Sequence, residues 1–125
     1  MLSHKIMTIV YHIAPAADWE AARAAGTYTA ASLRSEGFIH CSTAEQVIAT
    51  ANRLFKGRTG LLLLCIDTAR IDAEIRYENL EGGSNLFPHV YGALEAGSII
   101  AVHDLLSASD GSFELPQSLR PRAGA

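Results

Sequence analysis

The order of apolar and polar positions divides the chain into short stretches that alternate between two periods. Residues 6–13 alternate loosely and are rich in β-branched and aromatic side chains, which predicts a first strand. Pro15 suits the first turn of a helix, and the alanine-rich run DWEAARAAG follows it, closed by Gly26 as a C-terminal cap. Trp19, Ala22 and Arg23 share a face of that helix, so Trp19 is expected to pack it onto a sheet. Residues 32–37 predict one helical turn ended by Gly37, and residues 38–41 a strand. Ser42 and Thr43 begin two overlapping capping boxes, with Glu45 and Gln46, so a second helix is expected to start there. Val47, Ile48, Ala51, Leu54 and Phe55 give that helix one apolar face, and Gly57 stops it.

The second half reads as strands. Residues 61–66, LLLLCI, are continuous enough to be a buried central strand. Residues 73–78 alternate, with Ile75 and Tyr77 on one side and Glu74, Arg76 and Glu78 on the other. Gly82, Gly83 and Ser84 form a turn. Pro88 introduces a short strand over 89–91, at a place suited to a sheet edge. Residues 98–105 make a last long strand. A mixture of helices and strands followed by a run of strands favours an α+β domain over a doubly wound parallel sheet.

Composition narrows this further. At 125 residues the chain has no room for a second independent core. We expect a single globular domain over 1–106 and a tail over 107–125, rich in Ser, Gly and Pro and partly irregular. A net charge of -3 gives no broad basic field for nucleic acid and no attraction to an anionic membrane. The longest apolar run falls far short of the ~20 residues that span a bilayer. Cys41 and Cys65 lack metal-type spacing and no export signal precedes them, so reduced thiols in a cytoplasmic protein are expected.

Two polar clusters carry the candidate chemistry. In GFIHCST, strand alternation sends Phe38, His40 and Ser42 to one face and Ile39 and Cys41 to the other. A histidine just before a helix N-terminus sits where anions are attracted, so His40 and Ser42 are candidate phosphate or ribose contacts. The plainer alternative is that Ser42 caps the helix and His40 bonds a neighbour. Cys41 points away from His40, which argues against a thiol nucleophile. In NLFPHVYG, His89 and Tyr91 share a face, fitting either a stacking and hydrogen-bonding pair or an edge strand with tips in solvent. Tyr11, His12 and Glu78 complete the set. By itself His12 reads as structural, and Glu78 as part of a solvated face with Glu74 and Arg76. His12, His40 and His89 also permit a metal-dependent hydrolase, but without the short spacings of a strong metal motif no metal is expected.

These segments carry a resemblance. YHIAPAADWEAARAAG, SLRSEGFIHCSTAEQV and RYENLEGGSNLFPHVYGAL closely resemble a family of small bacterial proteins known as domain of unknown function 952, over roughly residues 8–106. More distantly, the pattern Ser32-Leu33 to Glu36-Gly37 followed by Ile39-His40-Cys41-Ser42 is similar to the strand-entry motif of ADP-ribosyltransferase-like folds, closest to the NAD-using RNA 2′-phosphotransferases. That similarity implies a split, mostly antiparallel sheet with two main helices and a cleft between its halves. It implies NAD or a related ADP-ribosyl nucleotide as ligand, with transfer or cleavage of the ADP-ribosyl group. Tyr11 and His12 would hold a ribose, His40 and Ser42 meet ribose or phosphate, His89 and Tyr91 line or stack on the ligand, and Glu78 support a cationic transition state. The phosphotransferases place a longer loop with an arginine between the Gly and the His-x-Ser, whereas here only Phe38 and Ile39 separate Gly37 from His40, which favours the rival expectation of a non-catalytic nucleotide-binding or interaction module.

Overall fold

A computed structural model describes residues 8–80 and 82–120. Positions 6 and 7 of the expected first strand and tail positions 121–125 lie outside these. Strand β1 (Ile9–Pro15) leads directly into helix α1 (Ala16–Ala25). Then come β2 (Thr27–Tyr28), α2 (Ala31–Glu36), β3 (Ile39–His40) and α3 (Val47–Leu54). The second half contains β4 (Leu61–Asp67), β5 (Glu74–Glu78), β6 (Phe87–Tyr91), β7 (Leu94–Glu95) and β8 (Ile99–Leu105). The protein is an α+β domain whose strand pairs are antiparallel, with three helices.

Three small sheets form, with orders β1-β4-β8, β2-β7 and β3-β6-β5. The two three-stranded sheets meet where Tyr11 and Ser42 exchange backbone hydrogen bonds, each 2.8 Å. Directly paired residues share a face. Tyr11, Ser42, His40, His89 and Arg76 therefore lie on one continuous face, while Val10 and His12 lie on the other with Ile39 and Val90. Strand β4 is central, as its unbroken apolar run implied. It is covered on both sides, by a cluster containing Val10, Leu64, Ile66, Tyr28 and Val90, and by a second containing Ile13, Leu61, Leu63, Val47 and Ala51. Trp19 packs against the first cluster.

Three expectations need correction. Ser42 does not cap a helix. The backbone at Ser42 is committed to the bridge with Tyr11, and α3 begins only at Val47 after a turn. One arm of the Thr43 box survives, the Gln46 side chain accepting from the Thr43 N–H at 3.0 Å. The helix also ends at Leu54, with Phe55 as its C-cap, before reaching Gly57. Strand β6, finally, is the centre of its sheet and not an edge. Pro88 is tolerated there because its missing N–H falls on the β3 side, where the ladder ends at His40. Cys41 N–H still donates to the Pro88 carbonyl at 3.0 Å, and the chain then leaves β6 for β1.

The segment after Ser107 has little regular structure but is docked. Ser107 bridges Phe113, and Phe113 is 2% exposed within the second cluster beside Leu115 and Leu119. Asn52 of α3 fixes it through the Phe113 backbone, accepting from its N–H at 2.7 Å and donating to its carbonyl at 3.3 Å. Among the described residues no helix is long and apolar enough to cross a membrane. Cys41 and Cys65 are free thiols, and burial pushes their pKa values up to about 12 and about 11.

Candidate functional site

A cleft of about 420 Å³ opens between the outer face of β3-β6-β5 and helix α3. One wall follows from strand alternation, which stacks Phe38, His40 and His89 on that face. The Phe38 and His89 rings lie 4.3 Å apart and nearly parallel, and His40 meets His89 edge-on at 5.3 Å. The opposite wall is a face of α3 of which the sequence pattern had marked only the apolar members. Thr50, Arg53 and Leu54 stand at i, i+3, i+4, beside the buried Val47 and Ala51. Leu54 was expected in the core. It is 56% exposed and lines the cleft instead. Arg53 brings a cation to the lining of the cleft.

His89 is the best-held group of the site. It is 5% exposed, and its Nδ1 lies 2.9 Å from Glu78 Oε1. Tyr91 donates its hydroxyl to the same carboxylate oxygen. Hydrogen bonds from Tyr91 first, then from His89, lower the Glu78 pKa, so the carboxylate is ionised at neutral pH. An ionised carboxylate only accepts, so His89 Nδ1 carries the proton of this bond, and in the neutral form of the ring the lone pair is on Nε2. Glu78 thus leaves the purely solvated role that its alternating strand suggested, and it lines the cleft with His89.

His12 is as withdrawn from solvent but differently employed. Its Nδ1 donates to the His40 carbonyl at 2.6 Å, and its Nε2 accepts from the Tyr28 hydroxyl at 2.7 Å. Burial lowers its pKa to about 4, and burial raises that of Tyr28, so both stay neutral. His12 is among the residues lining the cleft, but both of its ring nitrogens are engaged within the protein, and it ties β1 to β2 and β3. His40 is half-exposed at the rim, its Nε2 3.0 Å from Glu36 Oε2.

The remaining candidates divide. Tyr11 and Ser42 line the cleft, Ser42 Oγ lying 3.4 Å from Thr50 Oγ1. Tyr91 is not among the cleft-lining residues, and the Arg76 guanidinium lies over its ring at 4.3 Å. Cys41 is buried on the opposite face from His40. Among the described residues no three His, Cys, Asp or Glu side chains converge to hold a metal ion. The three histidines fail to do so because His12 has no free nitrogen.

Fold and cleft together define a small α+β domain with an imidazole–carboxylate pair at the wall of an aromatic pocket. The chain belongs to the family described as protein of unknown function (DUF952), whose model matches residues 13–102. It is similar to the X-ray crystal structure of protein CC0527 from Caulobacter crescentus, with 34% identity and a TM-score of 0.78, over 86% of this chain and 95% of that one. The solution NMR structure of CC0527 gives 34% identity and a TM-score of 0.77, over 90% of this chain and 97% of that one. No curated protein matches the chain.

Proposed function

We propose that the cleft binds NAD or a related ADP-ribosyl nucleotide and cleaves or transfers the ADP-ribosyl group, on an ADP-ribosyltransferase-like split sheet. The observation that carries this reading is the convergence, in one cleft of about 420 Å³, of an aromatic wall, an arginine and an ionised glutamate. Pockets of this size and apolar character suit organic ligands with a few fixed polar contacts. Phe87 offers surface to a planar base, Arg53 offers charge to phosphate, and His40 and His89 offer nitrogen to ribose hydroxyls. Glu78 supplies the negative charge that positive charge at the ribosyl carbon requires.

A second reading, a nucleotide-binding module without turnover, is favoured by one feature. Glu78 already accepts from both His89 and Tyr91, so part of its charge is answered inside the protein. Release of nicotinamide from NAD separates the two. In the catalytic reading Glu78→Gln keeps the size and hydrogen-bond acceptor but removes the charge, so turnover falls by about 10²-fold while NAD still binds. Wild-type protein that binds NAD and releases no nicotinamide would leave the binding module.

A further inference from the structure

We propose that Glu78 and His89 form a proton-abstracting dyad, in which His89 Nε2 takes the proton of a water or hydroxyl held in the cleft and Glu78 fixes and supports the ring. The proposal rests on the cleft reading above only for the identity of the ligand. Its own basis is geometric. The His89 side chain is 6% exposed, yet none of its hydrogen bonds involves Nε2. Among the described residues the one sealed and unpartnered side-chain oxygen or nitrogen is Glu95 Oε2. His89 Nε2 is therefore unpartnered without being sealed, and the space this side chain lines is the cleft.

Every other contact restrains the ring. Phe38 stacks on it at 4.3 Å, and His40 abuts its edge. Glu78 holds Nδ1–H and is itself held by Tyr91. A purely structural histidine in this protein looks like His12, with both nitrogens consumed. His89 has instead the arrangement that makes imidazole a general base, one nitrogen oriented by a carboxylate and the other open. Glu78 is thus a positioning residue for His89 as well as a charge in the cleft.

With NAD as ligand the step balances simply. The O–H bond of the bound water breaks and its proton passes to His89 Nε2. The oxygen's electron pair forms the new bond to the ribosyl carbon, and the pair of the carbon–nitrogen bond departs with nicotinamide. An alcohol in place of water gives transfer by the same movements.

The test reads the open nitrogen directly, by carbethoxylation of the full chain with diethyl pyrocarbonate and site-resolved mass spectrometry between about pH 5 and pH 8, where imidazoles titrate. The charged or titratable groups around His89 and its cleft are Glu78 and Arg76 from β5, His40 from β3, Glu36 from α2 beside His40, Tyr91 along β6, Tyr11 from β1 and Arg53 across the cleft. His89 should react at least about 10-fold faster than His12, which has no free lone pair. Glu78→Gln should move the midpoint of the His89 pH–rate curve down by about one unit, because an opposite charge favours the imidazolium. Tyr91→Phe frees Glu78 of one donor and should move the midpoint upward. A His89 as inert as His12, or a midpoint that moves in neither variant, would overturn the dyad. Saturating ADP-ribose should slow the reaction at His89. Fast reaction that ADP-ribose leaves unchanged would keep the dyad and remove the nucleotide reading.

Discussion

The sheets β1-β4-β8 and β3-β6-β5 are built from the same number of strands and share a backbone bridge, yet they treat a buried histidine in opposite ways. In the first, β4 is covered on both faces and His12 sits in the interior with both nitrogens paired and its charge suppressed. In the second, only the inner face, with Ile39 and Val90, joins the core. The outer face carries His89, almost equally unexposed but with one nitrogen paired to a carboxylate and one left over. Degree of burial therefore does not distinguish the two histidines. Completeness of hydrogen bonding does.

The comparison can be broken from either side. The largest effect is expected from the packing of the first sheet. Phe113→Ala opens a cavity under the docked tail and should cost about 4 kcal/mol of stability by urea denaturation, against almost nothing if the tail merely lies on the surface. His12→Ala strands the Tyr28 hydroxyl and the His40 carbonyl, and about 3 kcal/mol should be lost.

The same histidine sets a pH dependence. Its folded pKa of about 4 lies below the ordinary value of 6.5, so the unfolded chain takes up the proton first as pH falls. Stability is complete above about pH 6.5, falls by about 2 kcal/mol on reaching pH 5, and stops falling from this source near pH 4. Glu78, whose pKa is lowered on folding, adds a loss only below its ordinary value of 4.5. Urea midpoints at pH 7 and pH 5 should separate in wild type and converge in His12→Ala. Equal separation in both would show that His12 is not the source.

The smallest effect belongs to the rim of the second sheet. His40→Ala should raise the NAD dissociation constant by about 10-fold without changing kcat, since its contact is present in substrate and transition state alike. A fall in kcat would instead place His40 at the reacting atoms.

Much of this contrast was legible in the chain. Continuous LLLLCI announced a strand buried on both sides, and alternation placed Phe38 with His40 and His89 with Tyr91. What escaped the sequence were properties of pairing between distant segments. The bridge from Tyr11 to Ser42 overrode the Ser42 capping box and left one arm of the Thr43 box, because a backbone pair at a sheet junction leaves no freedom to start a helix there. Pro88 looked like an edge residue because local sequence does not tell which side of a strand goes unpaired. The wall formed by Thr50, Arg53 and Leu54 did have a helical signal, but apolar periodicity drew attention to the neighbouring face.

The central claim, that the outer face of the second sheet takes an ADP-ribosyl nucleotide, is tested most directly by isothermal titration of NAD and ADP-ribose into wild-type protein and into Phe87→Ala, with inorganic phosphate as a control. The account predicts saturable one-to-one binding of both nucleotides to wild type, weakened by about 10-fold or more when the stacking ring is removed, and no comparable binding of phosphate alone. Absence of heat from either nucleotide at millimolar concentration, or binding that Phe87→Ala leaves unchanged, would contradict it.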